Sequence, residues 1–389
     1  MKKIRIITFH HVTNNGAFLQ AYTLCNSLQK SFDDFDVKII DYRSPRLELY
    51  EILKIFKTYK KAPLYNLKRY LKFRTCVNRN IFLDRDFPNF RTYKGALNFF
   101  MKQNYDLLVV GSDVVWKISN SKLFPKFPNI YWLSDEIASK KVAYAVCSYK
   151  SDLRLVEKYN KSLSNSLNNF NLIGVRDDYT HNFVSSLGVN PEIPFLKMPD
   201  PTFLYEIKKT NVHKILIEEG IDLNKPILGI LIYNRDNFSK SITDYFKSIG
   251  YQIIALSMYN PFADLNLGDR LDPFEWAEVF KYLSFCVTDR FHGTIFCLKN
   301  NTPFVSIESN SMDSIINSKI YLLLKDFEML DCYTNITSEN FMLDDFLNKC
   351  LALSNSWNDE YGYNIECKLE DMKHKSHEFI NKIKMVESS

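Results

Sequence analysis

The densest chemistry in the chain lies in Thr288-Asp289-Arg290-Phe291-His292-Gly293-Thr294. It follows a short apolar run, Phe285-Cys286-Val287-Thr288, and its Gly-Thr pair opens a helical pattern. A guanidinium at Arg290, an imidazole at His292 and the N–H groups of a helix start would hold an anion beside a proton donor. Asp289, Gly293 and Thr294 belong to the same candidate site. A lone histidine is more often a satisfied structural residue. Arg290, two positions away, favours function here.

Three more strand ends carry candidates. After Ile4-Arg5-Ile6-Ile7-Thr8-Phe9 the chain reads His10-His11-Val12-Thr13-Asn14-Asn15-Gly16-Ala17-Phe18-Leu19-Gln20. Gly16 would permit a tight turn, and the following helix would aim N–H groups at an anion, with Asn15 and Gln20 beside it. The plain alternative is an ordinary turn in which Asn14, Asn15 or Gln20 caps or packs. After Leu107-Leu108-Val109-Val110 comes Gly111-Ser112-Asp113. Ser112 would offer a hydroxyl to a ligand, and Asp113 would take a proton from a sugar hydroxyl or else cap a helix. After Leu172-Ile173-Gly174-Val175, Arg176 presents a five-donor fork suited to carboxylate or phosphate, unless Asp177 or Asp178 neutralises it. His10-His11 has no third ligand at metal spacing and His374 and His377 lie in a polar stretch, so no metal site is expected. No P-loop, dinucleotide fingerprint, HExxH or GxSxG motif occurs.

The elements that must position these groups follow one rhythm. Strands read at Ile4–Phe9, Val37–Asp41, Leu107–Val110, Val142–Val146 and Leu172–Val175, and then, after Asp200-Pro201, at Ile227–Ile232, Ile253–Leu256, Phe285–Thr288 and Phe304–Ile307. Helical segments lie between them, including Phe274–Tyr282. Short apolar strands alternating with helices predict parallel sheets covered on both faces. The expected fold is α/β and GT-B-like: two Rossmann-like domains whose parallel sheets face a central cleft, with C-terminal helices. The expected boundaries are 1–200, carrying a helical basic insert at about 45–100, then 201–345, then helices at 346–389 with a polar tail from Lys368. Ligands of open α/β sheets sit beyond the carboxyl ends of the strands, where all four candidate segments fall.

A chain of 389 residues exceeds one ordinary core, and 46% hydrophobic residues with 15% aromatic suit packed domains rather than disorder. Fifty basic against 45 acidic residues leave a net charge of +5, too little to imply nucleic acid but comfortable for small anions. The start, Met1-Lys2-Lys3-Ile4-Arg5-Ile6-Ile7, turns polar too soon for a signal peptide, and no apolar run approaches a membrane helix, so a cytoplasmic protein is expected. The eight cysteines form no CxxC pair and read as buried thiols. Between Arg46 and Arg79 ten basic residues (Arg46, Lys54, Lys57, Lys60, Lys61, Lys68, Arg69, Lys72, Arg74 and Arg79) face only Glu48 and Glu51. A solvated helical face is the ordinary reading of that insert; an anionic membrane surface bearing a lipid-linked glycan is the other.

Taken in order, these segments resemble the polysaccharide pyruvyl transferase family. The matching stretches are Thr8-Phe9 through Asn15-Gly16-Ala17 to Leu19-Gln20-Ala21-Tyr22, Gly111-Ser112-Asp113-Val114-Val115-Trp116, Ala143-Tyr144-Ala145, Val175-Arg176-Asp177, Asp200-Pro201-Thr202-Phe203-Leu204, Glu275-Trp276, Thr288 to Phe296, and Thr302-Pro303-Phe304. The resemblance implies a GT-B-like transferase. It would move pyruvate from phosphoenolpyruvate to a sugar of a surface polysaccharide (exopolysaccharide or capsule) or of its lipid-linked precursor, usually as a cyclic ketal, with no cofactor. Arg176 and Arg290 suit the carboxylate and phosphate of that donor, His292 is the available acid, and Asp113 or Asp289 would accept a hydroxyl proton. Two departures stand out. Cys147-Ser148-Tyr149-Lys150 replaces a Ser-aromatic-Gly run, and Arg290 stands where many relatives carry Ser. The competing expectations are a GT-B glycosyltransferase using a nucleotide sugar and a non-catalytic glycan-binding relative.

Overall fold

The computed structural model describes the chain except residues 58–61, 89–91, 122–123, 234–235, 310–314, 316 and 389. Lys60 and Lys61 of the basic insert lie outside the described residues. The chain divides into two compact units. One comprises Met1–Lys54, Val77–Tyr205 and Asp371–Ser389, and the other Ile55–Cys76 and Glu206–Glu370.

The elements run β1 (Lys2–Ile7), α1 (Asn15–Ser31), β2 (Phe35–Ile40), α2 (Pro45–Lys57), α3 (Pro63–Asn80), β3 (Leu83–Asp84), α4 (Tyr93–Lys102), β4 (Leu107–Asp113), β5 (Lys140–Val146), α5 (Leu153–Leu167), β6 (Leu172–Val175), α6 (Asp178–Ser186) and β7 (Phe195–Lys197). They continue with α7 (Val212–Glu218), β8 (Ile227–Leu231), α8 (Asp236–Ser248), β9 (Gln252–Ala255), β10 (Leu265–Asn266), α9 (Pro273–Val279), β11 (Phe285–Thr288), α10 (Phe291–Lys299) and β12 (Phe304–Glu308). The last are α11 (Lys319–Asp326), β13 (Tyr333–Asn335), α12 (Leu343–Ser356) and α13 (Asp359–Ser388).

Among the described residues the first unit holds a parallel sheet in the order β3-β2-β1-β4-β5-β6-β7, and the second a parallel sheet in the order β10-β9-β8-β11-β12-β13. The central strands are buried on both faces, which is why they read as continuous apolar runs: every residue of Leu107–Ser112 and of Phe285–Thr288 is buried. Each sheet reverses its strand order once, between β1 and β4 in the first and between β8 and β11 in the second. Such a reversal splays the helices that follow the two strands and opens a crevice above the sheet edge. In the first unit the core is aromatic, with Trp116 stacked on Trp132 at 4.9 Å and Phe9 against Tyr131 at 4.9 Å.

The nine strands read from sequence are present. The four others, β3, β7, β10 and β13, are edge or near-edge pieces of two or three residues, too short to show any alternation. Two segments sit differently from the sequence expectation. Ile55–Cys76, expected inside the first domain's insert, packs with the second unit: the Tyr65 hydroxyl donates to the Ser257 carbonyl at 3.1 Å and accepts from the Gly268 N–H at 2.8 Å, and Arg69 donates to Ser257 Oγ at 3.1 Å. The expected polar tail is also a packed helix. Met372, Ser376, Phe379, Ile380 and Ile383 of α13 are buried at helical spacing, and Phe379 meets the Tyr144 ring edge-on at 5.4 Å. Sparse apolar residues, one or two per turn, hid that stripe among charges.

Candidate functional site

In the first unit the candidate residues gather where the sheet order reverses. Asn14 makes the turn into α1: it is extended, and its side chain accepts from the Gly16 and Ala17 N–H groups at 3.0 and 3.4 Å. Gly16, expected to make that turn, lies inside the helix. Asn15 is the first helical residue and is partly exposed. Gln20, one turn on, is fully buried and ties two strand ends together. Its Nε2 lies 3.0 Å from Thr8 Oγ1, 3.3 Å from the Phe9 carbonyl and 3.0 Å from the Ala17 carbonyl, and its Oε1 accepts from Ser112 N at 3.1 Å and Ser112 Oγ at 2.7 Å. Gln20 and Ser112, two of the residues expected at the ligand, are buried and bonded to each other and so brace β1 to β4, because an amide and a hydroxyl taken from water need partners.

That brace aims the end of β4. A Cβ on Gly111 would stand 2.1 Å from the Tyr144 carbonyl oxygen, and its φ is +119°, so only glycine fits. Asp113 is also left-handed at φ +77°. Its carboxylate accepts from the Val114 N–H at 2.8 Å, closing a turn rather than capping a helix, and its side chain keeps 17% exposure.

Arg176, at the end of β6, is held by a partner that local sequence did not indicate. Its Nη1 donates to Asp200 Oδ2 at 3.0 Å, with Asp113 Oδ1 at 4.0 Å. Asp200 is fully buried and also accepts from Thr202 N at 3.0 Å and Thr202 Oγ1 at 2.7 Å, so the Asp200-Pro201-Thr202 run is a carboxylate fixed to receive this arginine. Asp177 instead caps α6 by accepting from the Thr180 N–H at 2.7 Å. Burial opposes the Arg176 charge, but Cys147, Asp200, Asp113 and Asp177 together raise its pKa. A guanidinium so matched ties the ends of β4 and β6 to the Asp200 turn.

A separate cluster, one that spacing suggests only as a rejected metal site, lies at the ends of β1 and β2. The ring nitrogens of buried His10 lie 3.3 Å from the Thr8 carbonyl and 3.0 Å from Asp41 Oδ1, and Arg43 Nε donates to Asp41 at 2.7 Å. Burial pushes the Asp41 carboxyl up, but the bonds from His10 and Arg43 prevail and hold it well below the usual range. The missed signal is Asp41 at the end of the strand next to β1. Among the described residues, no group of three or more His, Cys, Asp or Glu side chains could hold a metal.

In the second unit β11 continues into the turn, where the Asp289 N–H donates to the Leu231 carbonyl at 3.0 Å. The Asp289 carboxylate is engaged twice: Oδ2 accepts from the Tyr233 N–H at 2.8 Å, and Oδ1 lies 3.0 Å from Arg290 Nε. The Arg290 guanidinium also lies over the Tyr233 ring at 4.7 Å, yet 45% of the side chain remains exposed. One edge of the fork is fixed while the rest faces water. Arg290 caps α10 with extended backbone and no side-chain cap bond, and His292 stands in the first turn, 8% exposed. A Cβ on Gly293 would fall 2.3 Å from Thr288 Oγ1, so glycine lets the helix start against the strand. Thr294, expected at the ligand, is buried and shares a hydrogen bond with Ser306 Oγ at 2.7 Å while donating to the Arg290 carbonyl at 3.2 Å, pinning that first turn to β12. Glu275-Trp276 is structural: Glu275 completes a capping box with Asp272, and Trp276 packs on Phe280 and Phe296 at 5.0 and 5.2 Å. Each unit thus gathers its own candidates; Asp289, Arg290, His292 and Gly293 share one turn.

Comparison with known proteins agrees with the fold. Spinosyn forosaminyltransferase SpnP shares the fold with a TM-score of 0.51 at 10% identity over 100% of both chains. UGT73P12 of Glycyrrhiza uralensis, solved with glycyrrhetinic acid 3-O-monoglucuronide, gives 0.54 at 9% identity over 99% of this chain and 96% of that one. A UGT transferase from Siraitia grosvenorii in complex with UDP gives 0.53 at 9% identity over 100% of both. These likenesses establish an α/β, GT-B-like fold. A search of the curated proteins found no match. The family model for polysaccharide pyruvyl transferase matches residues 14–311, which takes in every motif from Asn14 through the Asp289–Thr294 turn, and the chain therefore belongs to the polysaccharide pyruvyl transferase family.

Proposed function

We propose that the protein transfers pyruvate from phosphoenolpyruvate to two hydroxyls of a sugar in a surface polysaccharide or its lipid-linked precursor, forming a cyclic ketal. The observation that carries this reading is the turn at the end of β11. There a half-exposed guanidinium, held from one side by Asp289 and Tyr233, stands next to an imidazole in the first turn of a helix. Phosphoenolpyruvate is a small anion with a carboxylate and a phosphate, which suits Arg290 and the α10 N-terminus.

In the proposed reaction His292 gives a proton to C3 of the enol phosphate, making the methyl group and leaving cationic character at C2. A sugar hydroxyl bonds to C2 and loses its proton, and the C2–O bond to phosphate breaks, with the electron pair leaving on phosphate. A second hydroxyl then closes the ketal and releases its proton. Asp289 is occupied by Arg290 and Tyr233 and reads as a positioning residue. The reaction consumes only the donor and the sugar, so no cofactor is proposed, and a cytoplasmic location suits a phosphoenolpyruvate donor.

Calorimetry with phosphoenolpyruvate and with a panel of nucleotide sugars tests the donor. Binding of phosphoenolpyruvate is expected, and binding of a nucleotide sugar alone would overturn the proposal. His292→Ala should cut turnover by about 10²- to 10⁴-fold while donor affinity survives. Arg290→Ala should weaken donor binding by about tenfold or more, and an unchanged affinity would remove Arg290 from the site.

A further inference from the structure

Two successive helices wear their apolar residues on the outside. On α2, Leu49, Ile52, Leu53 and Phe56 are 57%, 44%, 38% and 65% exposed. On α3, Leu64, Leu67 and Leu71 are 63%, 40% and 54% exposed. The spacing on each helix is that of one face. Between residues 49 and 71 the only other described residues that are exposed are Pro63 and Lys68. Polar side chains point inward instead: Glu51, 4% exposed, accepts from the Thr13 N–H at 2.9 Å, and Asn66, 7% exposed, donates to the Ile55 carbonyl at 3.3 Å. Seven of the eighteen exposed large hydrophobic residues in the described chain thus fall in these stripes, Leu49, Ile52 and Leu53 in the first unit and Phe56, Leu64, Leu67 and Leu71 in the second, rather than being scattered singly.

The charge around these stripes selects the occupant. Among the described residues, Arg46, Lys68 and Arg79 are exposed at helical spacing from these side chains, while Lys54 pairs with Glu51, Arg69 bonds Ser257 and Lys72 pairs with Glu275, and Glu51 itself is committed inward. A second copy of this chain would set the same cations face to face. An anionic lipid surface would instead accept both the apolar side chains and the flanking charges. We infer that α2 and α3 dock on an anionic bilayer, lying in its interface rather than crossing it. No helix among the described residues is long and apolar enough to cross a membrane. The inference needs no assumption about the reaction, since it concerns a surface outside the candidate site.

The test is flotation of the full-length protein with phosphatidylcholine vesicles, with and without phosphatidylglycerol. Binding to the anionic vesicles should exceed binding to the neutral ones by about tenfold or more and should fall with salt. Exchanging three outward side chains together, as Phe56→Ser, Leu64→Ser and Leu71→Ser, should abolish it. Far-ultraviolet circular dichroism and phosphoenolpyruvate calorimetry should be unchanged in that variant, because the three side chains face solvent. Lys68→Glu, which leaves the stripe intact, should weaken vesicle binding in low salt. No binding to anionic vesicles, binding unaffected by the triple exchange, or a dimer in sedimentation that the triple exchange dissociates would each overturn the inference. Because vesicle binding is read without substrate, a failed pyruvyl transfer assay would leave it standing, and the reverse.

Discussion

At the scale of single residues, the loop after β5 holds a side chain in the left-handed region. Lys150, in place of the expected glycine, has φ +61°, and its ammonium lies over the Tyr149 ring at 5.2 Å. A side chain in the left-handed region meets its own backbone, which costs about 1–2 kcal/mol relative to glycine and is partly offset by the greater entropy of glycine in the unfolded chain. Lys150→Gly should therefore raise the denaturation midpoint of the first unit by an amount equivalent to about 1 kcal/mol, with the slope of the transition unchanged. A lower midpoint would mean that the contact with Tyr149 outweighs the backbone term. Arg176 makes the complementary point. Its charge was evident from its type and place, but its principal partner, Asp200, stands 24 residues on and could not be told from Asp177 or Asp178 by adjacency.

At the scale of elements, strand ends and helix starts position the candidate residues, and the last helix secures the sheet of the first unit. Gly174 of β6 approaches Phe379 of α13 so closely that a Cβ would lie 2.6 Å from the ring, and Lys140 of β5 donates to the Glu387 carbonyl at 2.8 Å. Burying Phe379, Ile380 and Ile383 contributes about 1.5–3 kcal/mol for each side chain removed from water. Deleting residues 371–389 should therefore leave the first unit unfolded or aggregated, with its near-ultraviolet dichroism lost. Native dichroism in the shortened protein would show that the stripe on α13 is dispensable. β11 and α10 behave differently: strand, turn and helix start are contiguous, so the candidate residues of this turn were readable from a single stretch of sequence.

At the scale of the whole molecule, the two sheets repeat one plan, and each places its candidates beyond the strand ends where the order reverses. One global consequence of burial concerns pH. Lys141 is buried in β5 with its ammonium donating to the Ser134 carbonyl at 2.9 Å, and burial pushes its pKa down to about 8. The unfolded side chain titrates near its ordinary value, so between pH 8 and about 10.4 the unfolded chain binds more protons and stability rises with pH. That contribution is complete above the unfolded value and is lost as pH falls through the folded one. In Lys141→Met the rise should disappear from the stability profile across this window. A profile identical to that of the parent protein would show that the Lys141 ammonium stays charged in the fold.

The sequence by itself determined the fold class, the nine longer strands, the family, and the turn that holds Asp289, Arg290 and His292, because each depends on periodicity or on neighbours close along the chain. Only the tertiary structure decided that Gln20 and Ser112 brace each other, that Asp200 receives Arg176, that Ile55–Cys76 packs with the second unit, and that the leucines of α2 and α3 face outward. Amphipathic periodicity reveals that a helix has an apolar face, but which face meets protein depends on what packs there. The partner of a buried polar group is likewise set by distances in space that the spacing of residues does not encode.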